Sequence, residues 1–190
     1  MEAKLLYSHC MLSKKKWISW SIVMLLPLFA FGQEKRISPL SVSSARYKDT
    51  YLKIVYSQPL KKGREIFGGL VPFGKIWRTG ANEATELTVT NDILINGQEL
   101  KAGTYSLFTI PNPESWTIIL NKDLGLWGAY NYNQQQDVLR FEVPVVNTNA
   151  PNEAFTIQID PLNNQADISL HWDKTKVTFS VLCQEPQLKP

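Results

Sequence analysis

Apolar and polar residues alternate along most of the chain after residue 40. Between Leu139 and Val143 every second residue is apolar, with Arg140 and Glu142 between them. A period of two is typical of a strand that buries one face and exposes the other. The same pattern recurs in residues 52–56, 87–89, 116–120, 155–159, 168–172 and 177–181. The chain therefore reads as a succession of amphipathic strands.

The absence of a helical pattern narrows the fold class further. After residue 32, no segment of ten residues shows the 3.6-residue period of an amphipathic helix. Strands with one apolar face must bury that face against a second layer. We therefore predict an all-β fold, a single-domain antiparallel β-sandwich of about eight to ten strands, with either a jelly-roll or an immunoglobulin-like topology.

Polar dipeptides separate the alternating segments. Asn96-Gly97 is typical of a type I′ hairpin, because both residues tolerate a positive φ. Asn163-Asn164 and Asp173-Lys174 predict two further turns. Two longer segments, residues 58–85 and 123–137, interrupt the regular plan and are too apolar and aromatic to be disordered. We expect both of them to fold onto the sandwich.

The N-terminal segment has the features of a secretory signal peptide. Lysines at positions 14–16 precede an apolar run over residues 17–31, which is shorter than the roughly 20 residues that span a bilayer. Ala30 and Gly32 are small, and polar residues follow, which predicts cleavage after Gly32 and export to the periplasm or the extracellular space. Met11 is an alternative start. The predicted divisions are a signal peptide (1–32), a lead-in (33–40), one domain (41–183) and a C-terminal tail (184–190).

Cleavage of the signal peptide would change the net charge of the protein and the number of side chains that could form a metal site. The chain has 20 basic and 17 acidic residues, and the loss of four lysines and Glu2 with the signal peptide leaves 16 of each. A neutral chain without a basic stripe does not favour nucleic acid. One histidine, His171, and one cysteine, Cys183, remain, which excludes a zinc site of usual composition. We predict no cofactor, no metal and no membrane span after cleavage, and the sequence leaves the oligomeric state open.

Residues 77–85 break the alternation and gather polar side chains around Gly80. Arg78 offers a planar set of donors that suits a carboxylate or a phosphate. Asn82 offers both a donor and an acceptor, and Gly80 permits close approach of a backbone. The predicted ligand-binding residues of this run are Arg78, Thr79, Asn82 and Glu83.

A purely structural role for this run is the alternative. In that interpretation Arg78 pairs with Glu83, Glu65 or Glu86, while Asn82 and the threonines satisfy the backbone of the loop. The observation that separates the two interpretations is whether Arg78 and Glu83 satisfy each other or leave one of them free.

A second group of candidate residues lies in the aromatic segment 123–137. Trp127, Tyr130 and Tyr132 lie among glycine, asparagine and glutamine residues. Flat rings beside amide side chains suit stacking on a sugar or a peptide. The alternative is that these rings close the end of the sandwich. The binding interpretation places all three rings beside residues 77–85, in one pocket at the rim for a glycan, a peptide or a small polar ligand.

The enzyme interpretation has weaker support in the sequence. A paired-carboxylate hydrolase is conceivable from Glu65, Glu83 and either Asp123 or Asp137, with Glu83 as the leading candidate. Nothing in the spacing of these residues selects two of them. No Gly-x-Ser-x-Gly motif or phosphate-cradling glycine loop is present. A third interpretation is a purely structural protein of the cell envelope.

Several long motifs resemble one family. They are residues 56–59, 63–72, 77–85 and 102–108, and they occur in an order that resembles the DUF2911 family of exported proteins, found mostly in Bacteroidetes-type bacteria. The resemblance covers residues 38–181. It implies export, a single domain and a hallmark role for residues 77–85. It implies no activity and no catalytic residues, and the cysteine that often anchors family members to lipid after the signal has no counterpart here.

Overall fold

The computed structural model of the chain describes residues 36–183. The predicted signal peptide, residues 33–35 of the predicted lead-in and the predicted C-terminal tail lie outside the described residues. The domain boundaries therefore stay predictions. In the part of the chain that the structure describes, none of the helical segments has the length and apolar character to cross a bilayer.

The described residues form nine strands and one 3₁₀ turn, which confirms the all-β prediction. The strands are β1 (Leu40–Tyr47), β2 (Thr50–Ser57), β3 (Ala81–Val89), β4 (Ile93–Ile95), β5 (Gln98–Leu100), β6 (Gly103–Pro111), β7 (Ser115–Asn121), β8 (Asp137–Leu162) and β9 (Gln165–Cys183). The 3₁₀ turn spans Gln134–Gln136. All pairs are antiparallel, in the order β1-β2-β3-β6-β7-β8-β9-β4-β5.

Strand β8 connects the two layers of the sandwich. Its first part pairs with β7 as far as Pro144, and from Val145 onward it pairs with β9. Pro144 has no N–H to give to a ladder, and it lies where the strand changes partners. One layer therefore contains β1, β2, β3, β6, β7 and the start of β8, and the other contains the rest of β8 with β9, β4 and β5.

Side chains from β1 and β2 close the sandwich along the free edge of β8. The N–H of Ile157 donates to the Tyr56 hydroxyl at 3.1 Å, and the N–H of Ile159 donates to the Ser43 hydroxyl at 3.1 Å. These bonds satisfy backbone groups that an open sheet edge would leave exposed. The two layers therefore meet at this edge as well as across the core.

An aromatic cluster fills one end of the shared core. Trp116, Phe155 and Trp172 are fully buried, and Trp77 stacks on Trp172 with ring centroids 6.0 Å apart. Phe155 packs edge-on against Trp77 at 5.0 Å. Both layers and the long segment after β2 contribute rings, so this cluster ties that segment to the sandwich as predicted. Ring pairs in such arrangements stabilise by about 0.5–1.5 kcal/mol beyond their buried area.

The predicted turns have different outcomes. Asn96 and Gly97 both have positive φ, 47° and 79°, and join β4 to β5 as predicted. Asp173-Lys174 is not a turn, and that prediction was wrong. Asp173 has a φ of 51° but lies inside the continuous strand β9, where the pairing with β8 shifts register. A bulge and a turn both need such a residue, so the dipeptide alone did not separate them.

Candidate functional site

Residues 77–81 run along one rim of the first layer. The start of β3 pairs with the end of β2, and the end of β2 pairs with the start of β1, so three chain ends meet at this rim. The backbone of Trp77 exchanges two hydrogen bonds with Thr109, at 2.8 and 2.9 Å, which fixes the run to β6. The rim is therefore held by backbone pairing on both sides.

Side chains of residues 77–85 form hydrogen bonds with the backbone of the same run and with β6. Thr79 is fully buried, and its hydroxyl lies 3.1 Å from that of Thr109. The Thr85 hydroxyl donates to the Thr79 carbonyl at 2.7 Å, and the Trp77 indole donates to the Gly80 carbonyl at 3.0 Å. A Cβ added at Gly80 would lie 3.0 Å from the Ser57 carbonyl, so this position needs glycine to approach β2. Thr79 thus supports the loop from inside and lies away from its surface.

Arg78 and Glu83 do not satisfy each other. Both oxygens of Glu83 accept hydrogen bonds from Arg36 in the lead-in, and the Ser57 hydroxyl donates to Glu83 at 3.3 Å. These contacts, the Arg36 bond foremost, lower the pKa of Glu83. Asn82 has a φ of 57° and its amide donates to the Ser57 hydroxyl at 3.4 Å.

Arg78 is half-buried and has no ion-pair partner among residues 36–183. Its Nε is buried with no hydrogen-bond partner. Burial lowers the pKa of the guanidinium, and the nearby Tyr130 partly offsets this. A desolvated donor that lacks an acceptor is costly, so this side chain is suited to receive one from outside.

Arg78 lines a cleft of about 480 Å³ at the rim. Its apolar wall comes from Ile37, Pro59, Leu60, Leu70, Val71, Pro72, Ile76, Trp77 and Trp172. The charged lining consists of Lys62, Arg64, Lys75 and Arg78, and no acidic residue lines the cleft. The cleft therefore combines an apolar and aromatic wall with a positive border.

The cations that line the cleft form no ion pair with any described residue, although the Glu153 carboxylate accepts the backbone N–H of Lys62 at 2.8 Å. Arg64 donates from Nε to the Lys61 carbonyl at 2.9 Å and from a second nitrogen to the Leu60 carbonyl, and both acceptors are uncharged. Lys62 and Lys75 are exposed and form no ion pair with any described residue. Lys61, by contrast, pairs with Asp173 at 2.6 Å and does not line the cleft.

The aromatic segment lies directly beside Arg78, although Arg78 is the one predicted ligand-binding residue that lines the cleft described above. The N–H of Ala84 donates to the Leu126 carbonyl at 2.8 Å, and the N–H of Gly128 donates to the Asn82 carbonyl at 2.9 Å. Glu83 and Trp127 form an antiparallel bridge between these bonds. The structure thus brings together residues 77–85 and Trp127 with Tyr130.

Tyr132 has a different position from the other two rings. Its ring packs against buried Phe108 with centroids 5.1 Å apart, and its hydroxyl donates to Asp137 at 2.6 Å. Burial and the hydrogen bond to Asp137 raise the pKa of Tyr132 to about 12. Arg140 donates to both Tyr132 and Asp137. Tyr132 therefore packs the aromatic segment against Phe108, and its hydroxyl is already hydrogen-bonded to Asp137.

Sequence reasoning missed several residues of the cleft. Lys62 and Arg64 belong to a visible run of cations before residue 65, and Lys75 follows the glycine-rich stretch. Their charge was a usable signal, although their convergence with Arg78 depends on the path of the loop. Among the described residues, no group of three or more His, Cys, Asp or Glu side chains could hold a metal ion.

Comparison with known families gives one match. The family described as protein of unknown function (DUF2911) matches residues 38–181, well over half of the chain. No curated protein and no solved structure matches the chain.

Proposed function

We propose that this chain, which belongs to the DUF2911 family of proteins of unknown function, is a binding module for a small anionic ligand with an apolar part. The observation that carries the proposal is the cleft at the rim. Its charged lining is wholly cationic, and one of its cations, Arg78, has a buried Nε without an acceptor. An anionic group in the cleft would give the Arg78 guanidinium the ion-pair partner that it lacks among residues 36–183.

The chemistry of the lining supports a carboxylate, a sulfate or a phosphate as the anionic group. A guanidinium presents parallel donors that match two oxygens of such a group, and lysines add charge without fixed geometry. The wall of Val71, Trp77 and Trp172 would bury the apolar part of the ligand. The volume of about 480 Å³ falls within the roughly 300–1,000 Å³ of pockets that hold small molecules.

Export would place this binding outside the cytoplasm. The predicted signal peptide supports a periplasmic or extracellular location, and the ligand would then be one that reaches the protein there. We propose this location together with the function.

Hydrolysis by a carboxylate pair has less support than binding. Glu83 is engaged by Arg36, and Asp137 by Tyr132 and Arg140. A general acid needs a raised pKa, whereas the contacts of Glu83 lower its pKa. The cleft itself has no carboxylate in its lining.

Replacement of Arg78 tests the proposal. Small carboxylates, sulfates and phosphates with an apolar group should raise the melting temperature of residues 33–190, because a ligand that binds only the native state stabilises it. Arg78→Ala should weaken the best of these ligands by about 10-fold to 100-fold in isothermal titration calorimetry, as expected for the loss of a charged hydrogen bond.

Arg46→Ala is the control. Arg46 is an exposed arginine of β1 that stacks on Tyr51 at 5.5 Å and does not line the cleft. It should leave ligand affinity unchanged. Equal affinity of the wild type and Arg78→Ala, or no stabilisation by any anion at low salt, would refute the proposed function.

A further inference from the structure

Two aromatic rings next to the cleft are exposed, whereas most rings in residues 36–183 are buried. Trp127 is 59% exposed and Tyr130 is 83% exposed, whereas Trp77, Trp116 and Trp172 are all buried. Trp127 and Tyr130 contribute little to the core in this position. Exposed large rings on a supported segment are typical of a surface that contacts a partner or a ligand.

The segment that carries these rings is held in place by its backbone. The bonds of Ala84 to Leu126 and of Gly128 to Asn82 fix it against β3 on either side of Trp127. Gly128 has a φ of 68°, and a Cβ added there would lie 2.8 Å from the Tyr130 ring. The Tyr130 ring therefore lies directly over the Gly128 backbone. Because this segment is already fixed, it would lose little conformational entropy when a ligand binds, which favours affinity.

Arg78 connects this aromatic surface to the cleft. Its Nη1 lies 3.7 Å from the position of a Cβ on Gly128, and Arg78 also belongs to the cleft lining. A ligand with its acidic group at Arg78 could therefore extend in two directions. One leads into the apolar cleft, and the other leads over Trp127 and Tyr130.

We propose that Trp127 and Tyr130 form a stacking subsite for a sugar ring, so that the natural ligand is an acidic saccharide whose acidic group binds Arg78. This inference rests on the proposed function and names the class of its ligand. The faces of a sugar ring are apolar and its edges carry hydroxyls, which suits flat amphipathic rings. The exposed amide of Asn131, next to Tyr130 in the chain, offers a donor and an acceptor for those hydroxyls.

Calorimetry on residues 33–190 tests the subsite. The probes are a uronic-acid oligosaccharide, a sulfated oligosaccharide and a neutral oligosaccharide of the same length, the uronic-acid monosaccharide, and a nucleoside monophosphate. We expect at least one acidic oligosaccharide to bind about tenfold or more tighter than both the neutral oligosaccharide and the acidic monosaccharide. Preference for the carboxylated or the sulfated form supports the inference and identifies the acidic group.

The double variant Trp127→Ala/Tyr130→Ala should remove that tenfold gain. Leu124→Ala, which alters an exposed residue of the same segment, is the control and should keep the gain. Because both rings are exposed, the double variant should fold, and a wild-type circular dichroism spectrum checks this.

Three outcomes would overturn the inference. The gain could survive in the double variant, the oligosaccharides could bind no tighter than the monosaccharide, or the nucleoside monophosphate could bind tighter than every saccharide. In all three the anion site at Arg78 would stand if Arg78→Ala still weakens anion binding by about 10-fold or more. If no anionic probe binds the wild type, both proposals fail together.

Discussion

Arg78 illustrates a conflict between stability and binding at the scale of one residue. Its guanidinium is half-buried, lacks an ion-pair partner among residues 36–183, and has a pKa lowered chiefly by desolvation. A charge in this situation costs free energy in the unliganded protein. The same desolvation strengthens its attraction to an anion, because less water competes. The position is therefore better suited to a ligand than to the stability of the free protein.

An apolar replacement at this position should consequently stabilise the free protein. Arg78→Met keeps a long side chain, removes the charge, and should raise the free energy of unfolding by about 0.5–1 kcal/mol. Urea denaturation at neutral pH measures the change, with Arg46→Met as control. The same variant should lose anion binding. A clear loss of stability would show that Arg78 contributes to the fold in a way that its contacts do not reveal.

The sequence named Arg78 and Glu83 as candidates but did not provide their partners. Both expected pairings, with each other or with neighbouring glutamates, relied on proximity along the chain. Glu83 is instead bonded to Arg36, 47 positions earlier. Because β3 and the lead-in meet at one rim through the pairing of β1, β2 and β3, this partner follows from the sheet and not from local sequence.

At the scale of elements, the lead-in is part of the cleft. Ile37 and Ser38 line it, and Arg36 fastens the segment to β3 through Glu83. Both side chains of this ion pair are substantially exposed, at 48% and 40%, so solvent screens it and it contributes at most about 1 kcal/mol. The pair therefore matters more for the position of one cleft wall than for global stability.

Glu83→Gln should loosen that wall. We expect faster amide hydrogen exchange at residues 36–39 and weaker ligand binding, with global stability lowered by less than about 1 kcal/mol. The pKa of Glu83 is lowered in the folded protein, so its stabilising contribution is complete above the ordinary glutamate pKa. It disappears as the pH falls through the lower folded pKa, and the wild type should then resemble the variant.

Glu142→Gln, on the exposed face of β8, is the control and should leave exchange at residues 36–39 unchanged. Wild-type exchange rates at the lead-in of Glu83→Gln at neutral pH would mean that other contacts hold the segment.

For the long strands, the sequence predicted the buried residues but not the length of the strand. Alternation located their apolar faces correctly, since Val143, Phe155 and Ile157 are all buried. The alternation predicted two separate strands around residues 143 and 155, although both segments belong to the single strand β8. A strand that bends between two layers loses its alternation at the bend, so a local pattern breaks where the backbone pairing continues.

At the scale of the whole molecule, one core joins both layers and the floor of the cleft. Phe155 of β8 is fully buried and packs against Tyr56 of β2 at 5.8 Å and against Trp77 at 5.0 Å. Trp77 and Trp172 belong to this cluster and to the cleft wall. The aromatic cluster of the core therefore also forms part of the cleft wall.

Phe155→Ala should destabilise the protein by about 3–5 kcal/mol, a large share of the roughly 5–15 kcal/mol typical of a domain, because it leaves a cavity between the layers. Phe73→Ala is the matched control, since Phe73 is 40% exposed, and should cost less than about 1 kcal/mol. Urea unfolding followed by tryptophan fluorescence and circular dichroism measures both. Equal effects of the two variants would contradict a single shared core.

The sequence by itself determined the secondary-structure class, the core-facing residues of the alternating segments, the Asn96-Gly97 hairpin and the resemblance to the DUF2911 family, because each depends on neighbouring residues or on the order of motifs. It also directed attention to residues 77–85 and the aromatic segment. Only the tertiary structure decided that these segments meet and that Lys62, Arg64 and Lys75 join Arg78 around one cleft. Such convergence depends on strand order and loop path, which arise from packing between residues far apart in the chain.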